Sequence, residues 1–189
     1  RGVGYHTETR VTGLEVTGGR VTAIVADSER HPTEGVVVAL GTGTPALLAT
    51  LGIRVSIVPV RGYSASFPIR DAAGVPRLSA IDEGDLVAFS RLGDILRVTA
   101  VAEFASRVRE VPPARAEMLK AYGRKAFGEA IDVDGATFWT GERPATPAGP
   151  PFLGAVRGID NLFVNAGHGT LGWTMAAGSG RVIADRIAG

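Results

Sequence analysis

The sequence predicts a mixed α/β fold (α/β with α+β character), and three observations predict it. Two short apolar runs, residues 36–40 and 161–164, each empty through glycines into a stretch with helical spacing, as strands that feed helices do. Between them, residues 59–135 alternate apolar and polar side chains with turn signals, the pattern of an antiparallel sheet. With 189 residues, 45% hydrophobic and 21% charged, the chain can bury a core as one domain or as two small ones.

Residues 3–16 and 21–25 are rich in threonine and valine and are joined by Gly18-Gly19, so they read as a hairpin. The continuous run Val36-Val37-Val38-Ala39-Leu40 reads as a strand buried on both faces. It leads into Gly41-Thr42-Gly43-Thr44-Pro45 and a helix over 46–51, with Pro45 suited to a first helical position. Written G-x-G-x-x-A, this turn matches the relaxed dinucleotide fingerprint. The fingerprint also needs an acidic residue about 20 positions on, and no Asp or Glu lies between Glu34 and Asp71. As a self-sufficient nucleotide fold the segment fails.

Residues 54–60 alternate as a strand limited by Pro59, and Arg61-Gly62-Tyr63 begins another over 63–67, with Gly62 able to let the backbone approach a flat ligand. Residues 70–76 read as a loop, and 86–91 with 95–101 as a hairpin around Leu92-Gly93-Asp94. Residues 112–127 carry a helical stripe of Met118, Leu119, Tyr122 and Ala126, which reads as a helix covering a sheet. Residues 136–141 return to strand before the proline-rich loop 143–151. The last helix follows N-A-G-H-G-T-L-G-W-T-M-A-A-G-S-G (165–180), with Met175, Val182, Ile183 and Ile187 on one buried stripe. A strand that empties through glycines onto a helix start leaves N–H groups pointing at whatever sits there, which suits negative charge.

Composition excludes several classes. Twenty basic and nineteen acidic residues are spread without a basic block, so nucleic acid is not an expected partner. Cysteine is absent, which removes disulfides and thiol chemistry. His6, His31 and His168 lack the i, i+4 spacing of a helical zinc motif, and no metal is expected. No run approaches the roughly 18–20 apolar residues that span a bilayer, which leaves peripheral membrane contact open.

Acid–base candidates are sparse beside two glycine turns at helix starts, a balance that points to chemistry carried by a cofactor. Arg143, between Phe138-Trp139 and the proline loop, has two readings: a guanidinium that clamps a carboxylate by two hydrogen bonds, or a solvated surface charge. His168 reads as a ligand-facing donor or a hydrogen-bonded turn residue. Tyr63 and Trp173 read as walls of an apolar pocket or as core.

W-T-G-E-R-P-A-T-P-A-G-P-P-F-L-G (139–154), followed by N-L-F-V-N-A-G-H-G-T-L-G-W-T-M-A-A-G-S-G (161–180), resembles the C-terminal part of the FAD-dependent D-amino-acid dehydrogenases, within the wider group that includes D-amino-acid oxidase and glycine oxidase. P-V-R-G-Y-S-A-S-F-P-I (59–69) and V-V-V-A-L-G (36–41) fall in the matching order. The resemblance implies a partial FAD-binding domain over 1–58, an antiparallel substrate domain with helices over 59–140, and a return to the FAD-binding domain over 141–189. It implies that Arg143 binds the substrate carboxylate. Gly167, His168, Gly169, Thr170, Leu171, Gly172 and Thr174 would lie against the flavin pyrimidine, with Thr174 near the C2 carbonyl. Gly41 would lie close to the cofactor, the backbone of Val11 near the adenine, and Gly62 and Tyr63 near the isoalloxazine ring and the substrate.

The implied reaction is oxidative deamination: hydride leaves the substrate Cα for FAD, and water converts the imino acid to a 2-oxo acid and ammonia. The implied partners are a D-amino acid and a quinone or other electron acceptor, and the implied location is cytoplasmic with peripheral contact at a bacterial inner membrane. Two alternatives remain: an oxidase of glycine or another small amine acid that uses oxygen, and a non-catalytic binding module. The family opens with a strand and G-x-G-x-x-G that these residues do not contain, so this chain alone is expected to bind FAD weakly or not at all. The turn after Gly41 also has Thr42-Gly43 where an aromatic residue is often found.

Overall fold

A computed structural model describes residues 2–104 and 110–189. The chain divides into two units, one comprising the chain up to Val58 and then Arg143–Gly189, the other Pro59–Glu142.

The first unit opens with an antiparallel sheet of β1 (Val11–Thr17), β2 (Arg20–Ala26) and β3 (Glu29–Pro32). Gly18 and Gly19 both take positive φ, 57° and 74°, which is why two glycines make this tight turn. A second sheet has the order β10 (Phe152–Ala155), β11 (Leu162–Ala166), β4 (Val36–Val38); β11 runs parallel to β4 and antiparallel to β10. β4 ends that sheet, and only Val38 of its three valines is buried while Val37 is exposed. The continuous apolar run is therefore not a strand buried on both faces. A short 3-10 turn, Gly41–Gly43, follows β4 and runs into α1 (Thr44–Ala49), with Pro45 in its first turn.

Leu14, Val21, Val38, Leu48, Leu162 and Val164 form the core that joins the two sheets to α1. Asn161 ties them with polar bonds. Its side-chain oxygen accepts from Val21 N–H at 2.7 Å, and its amide donates to the carbonyls of Val21 and Glu34. A buried amide of this kind is retained only because its donors and acceptors are matched.

In α3 (Gly172–Ala188), Ser179 and Ile183 are buried and Met175 half-buried, one line at four-residue spacing. Val182 and Ile187 are exposed, contrary to the expected stripe, because the line facing β10 and β11 runs through a serine.

The second unit is built on a five-stranded sheet in the order β6 (Ala80–Asp82), β7 (Val87–Leu92), β8 (Ile95–Glu103), β5 (Val58–Pro68), β9 (Thr137–Ala145), in which β6, β7, β8 and β5 pair antiparallel; Val58 at the start of β5 and residues 143–145 at the end of β9 belong to the first unit. The segment read as two strands, 54–60 and 63–67, is one strand that starts at Val58. Strict alternation on β5 puts Tyr63, Ala65 and Phe67 on the face covered by α2 (Pro113–Phe127), where Leu119 and Tyr122 meet them. Gly123 packs closely there: a Cβ would stand 3.1 Å from both Phe67 and Ile131, so those side chains would have to shift by a few tenths of an ångström to admit one. Arg143 and Pro144 belong to β9 itself and not to a proline loop after it.

Candidate functional site

Three distant pieces of the first unit gather around Pro144. Gly41, with φ 56°, faces the Pro144 ring, where a Cβ would sit in ordinary van der Waals contact at 3.8 Å. The Gly169 N–H donates to the Pro144 carbonyl at 2.9 Å. Two residues on, the Thr146 methyl sits where a Cβ on Gly167 would be, 2.7 Å away, and Gly167 takes φ 91°. Glycine is required at that position twice over, by backbone conformation and by space. Arg143 precedes this cluster by one residue and so projects from the strand that organises it.

The turn continues into α3. Leu171 N–H closes onto the His168 carbonyl at 3.0 Å, and Met175 N–H makes a helical bond to Leu171 at 2.9 Å. The helix has no side-chain cap, and its first turn carries no acidic residue. The first N–H groups of a 17-residue helix thus keep their partial positive charge for something else. Thr170, Leu171, Trp173 and Thr174 are exposed around that helix start, and Trp173 is 96% exposed, so it walls no pocket within this unit.

Among the described residues, three buried polar atoms of the same unit have no hydrogen-bond partner: Thr44 Oγ1, Asn165 Oδ1 and His168 Nε2. Leaving such an atom unpaired costs about 1–3 kcal/mol, and unpaired groups collect where a ligand completes them. Spacing alone could not reveal Thr44 or Asn165: one opens α1 after Gly43 and the other lies near the end of β11, and neither position carries a motif. Val11 opens β1, paired with Ala26 and partly exposed, and is not among the contacts around Pro144.

Gly62 and Tyr63 lie in the second unit. The Gly62 carbonyl accepts from Thr140 Oγ1 at 3.0 Å, which fixes β5 to β9. Arg61, 5% exposed, donates to Glu142 at 2.5 Å and to Thr140 at 3.3 Å. The Tyr63 hydroxyl donates to Glu103 Oε2 at 2.8 Å, and Arg115 donates to the other oxygen at 3.1 Å. Burial, reinforced by the Glu103 carboxylate, pushes the Tyr63 phenol up. The hydrogen bonds from Tyr63 and then Arg115 hold Glu103 below the usual carboxylate range. Tyr63 is therefore an anchored neutral phenol.

Residues 1–186 match the family model described as FAD dependent oxidoreductase. The chain belongs to that family. It is 46% identical over 188 residues to a D-amino acid dehydrogenase of Cereibacter sphaeroides and 47% identical over 193 residues to one of Xanthobacter autotrophicus. Each alignment takes in 100% of this chain but only 43% and 45% of those proteins, so the chain spans less than half the length of these relatives.

Among solved structures it is similar to glycine oxidase from Bacillus cereus, with a TM-score of 0.79 at 20% identity over 96% of this chain and 50% of that one. An L-amino acid deaminase from Proteus vulgaris gives 0.77 at 22% identity, covering 99% of this chain and 47% of that one. These likenesses establish the fold. FAD fits the first unit on its own terms: the unpaired Thr44, Asn165 and His168 atoms supply polar partners, and the uncapped start of α3, with no acidic residue in its first turn, suits a negatively charged group. No helix among the described residues is long and apolar enough to cross a membrane.

Proposed function

We propose that this chain supplies the substrate clamp and the flavin-facing turn of an FAD-dependent D-amino-acid dehydrogenase, which converts D-amino acids to 2-oxo acids and ammonia. The observation that carries the reading is the gathering of Gly41, Gly167 and Gly169 around Pro144 at the end of β9 and Thr146 just beyond it, immediately after Arg143. The relatives named D-amino acid dehydrogenase match over the entire chain and support it. On this reading residues 1–58 and 141–189 are parts of the FAD-binding domain and 59–140 the substrate domain.

FAD, when bound, supplies the two-electron acceptor. The residues to hold it are Gly41, the Gly167–Thr174 turn and helix start, and the backbone of Val11. The free N–H groups at the start of α3 stabilise negative charge with dipoles already in place, so no reorganisation is needed as charge develops. Arg143 takes the substrate carboxylate in its planar fork, which orients the Cα hydrogen. His168 offers Nε2 as a further donor or acceptor at the turn. Gly62 and Tyr63 are assigned to the substrate side, with no proton transfer given to Tyr63 because its hydroxyl is held by Glu103. An amino acid whose amine is already neutral needs no strong base from the chain.

Replacing Arg143 by Ala in the full-length protein tests the clamp. We expect KM for D-alanine to rise about 100-fold, the scale of a lost charge-assisted pair, with Lys restoring only part of it. An unchanged KM removes Arg143 from the substrate site. The acceptor is a quinone or a similar carrier, which places the protein at the bacterial inner membrane for turnover. Reduction of a quinone analogue without formation of peroxide supports that, whereas stoichiometric peroxide makes the protein an oxidase.

A further inference from the structure

The second unit holds an apolar cavity that the proposed reaction leaves unused. It opens where the β7–β8 ladder ends: Val87 and Ala100 are the last paired residues, and the next residue on each strand, Leu86 and Val101, has a left-handed backbone with φ 53° and 73°. Bulky and branched residues adopt that conformation only where the surroundings impose it, and such positions concentrate at ligand sites. β8 bulges at the same place, since Tyr63 pairs with Ala100 but Arg61 with Glu103, two steps of β5 against three of β8. These distortions part the strands, and Met118, Leu119 and Tyr122 of α2 floor the gap. The cavity measures about 440 Å³, within the range of small-molecule pockets.

Its walls are hydrocarbon except at the mouth. There Lys125 Nζ stands 2.6 Å from Asp85 Oδ2, both side chains reaching solvent. An exposed pair of this kind contributes little, so a ligand bringing its own carboxylate and ammonium can replace each partner at little cost. A neutral hydrocarbon would fill the walls and waste the mouth; an anion or cation alone would satisfy one side of it. We propose that this cavity binds an apolar α-amino acid, its side chain inward, its carboxylate on Lys125 and its ammonium on Asp85. The proposal rests on the second unit alone.

The test uses the full-length flavoprotein with L-leucine as probe, read by saturation transfer to the leucine methyl groups. Ala121, exposed on α2 at the mouth, becomes Trp to plug the cavity. We expect Ala121→Trp to abolish the signal and Lys125→Gln to weaken leucine about tenfold while leaving binding of neutral indole unchanged. Circular dichroism checks that each variant is folded, and Lys125→Gln carries the test alone where Ala121→Trp is not. Leucine binding that survives both substitutions, or no binding in the unmodified protein, overturns the proposal. Binding lost in Arg143→Ala but kept in Ala121→Trp overturns it too, and leaves the Arg143 clamp standing.

Discussion

Gly167 shows how much one absent methyl group decides. Its φ of 91° suits glycine alone, and the Thr146 methyl occupies the space of its would-be Cβ. Thr146 cannot rotate freely out of the way, because its hydroxyl donates to the Pro150 carbonyl at 2.9 Å. Gly169 has φ 55° but open space around it. Gly167→Ala should therefore cost about 2–3 kcal/mol and Gly169→Ala about 1 kcal/mol, one bearing strain plus a clash and the other strain only. Thermal unfolding of the two variants checks the order, and adding Thr146→Ser, which keeps the hydroxyl and removes the methyl, should recover part of the Gly167→Ala loss. Equal losses would show that the contact with Thr146 does not matter. The density of glycine over 165–180 is visible in the sequence, but which glycine is irreplaceable depends on Thr146, twenty-one residues upstream, and no local pattern points to it.

Among the elements, α2 and β6 are joined by a bond that should be seen at high pH. Tyr122 donates to Asp82 Oδ2 at 3.1 Å. Asp82 in turn accepts the N–H groups of Gly84 and Asp85, which with the phenol hold its carboxyl below the usual range, the Asp85 bond foremost. Burial, and then the bond to Asp82, pushes the Tyr122 phenol up to about 12. Below pH ~10 the phenol is neutral in both folded and unfolded chains and stability is unaffected. Between about 10 and 12 the unfolded chain releases the proton while the folded one retains it, so stability falls as pH rises. Tyr122→Phe should lower Tm at neutral pH yet flatten its decline over that window, with Tyr63 supplying the remaining slope. An undiminished decline would mean that Tyr122 does not titrate in this way.

Elements with a strong period are legible beforehand. The β7–β8 hairpin and the span of α2 follow the pattern almost to the residue, although Ala126 of the expected stripe is exposed and Gly123 is buried instead. β3 and β6 are not, because Glu-Arg-His-Pro and Ala-Ile-Asp are too short and too exposed for burial to impress a pattern on them. β10 hides for another reason: its edge pairing with β11 depends on residues eight to fourteen positions on.

At the scale of the whole molecule, the length of the relatives and the surface of the first unit bear on the same question. This chain spans 43–45% of their length, and the first unit leaves apolar groups bare on two of its elements. Val37 is exposed on β4, the end strand of its sheet; Leu171 and Trp173 stand out at the start of α3, and Val182 and Ile187 farther along it. An end strand with unpaired backbone groups and an apolar helix flank are both surfaces that associate unless covered. The unpaired Thr44, Asn165 and His168 atoms belong to the same unit. Expressed alone, the 189-residue chain should self-associate, raise the fluorescence of an apolar dye, and leave FAD fluorescence unquenched at micromolar concentrations. The full-length protein should be yellow, bind the dye weakly, and gain about 2.7 kcal/mol of stability at FAD concentrations near 100 times Kd. Light scattering, dye titration and thermal unfolding with added FAD separate the two cases. A monomeric, yellow 189-residue protein would show that the first unit closes its own surface and holds the cofactor unaided, and the polar atoms now unpaired would then be sufficient partners for it.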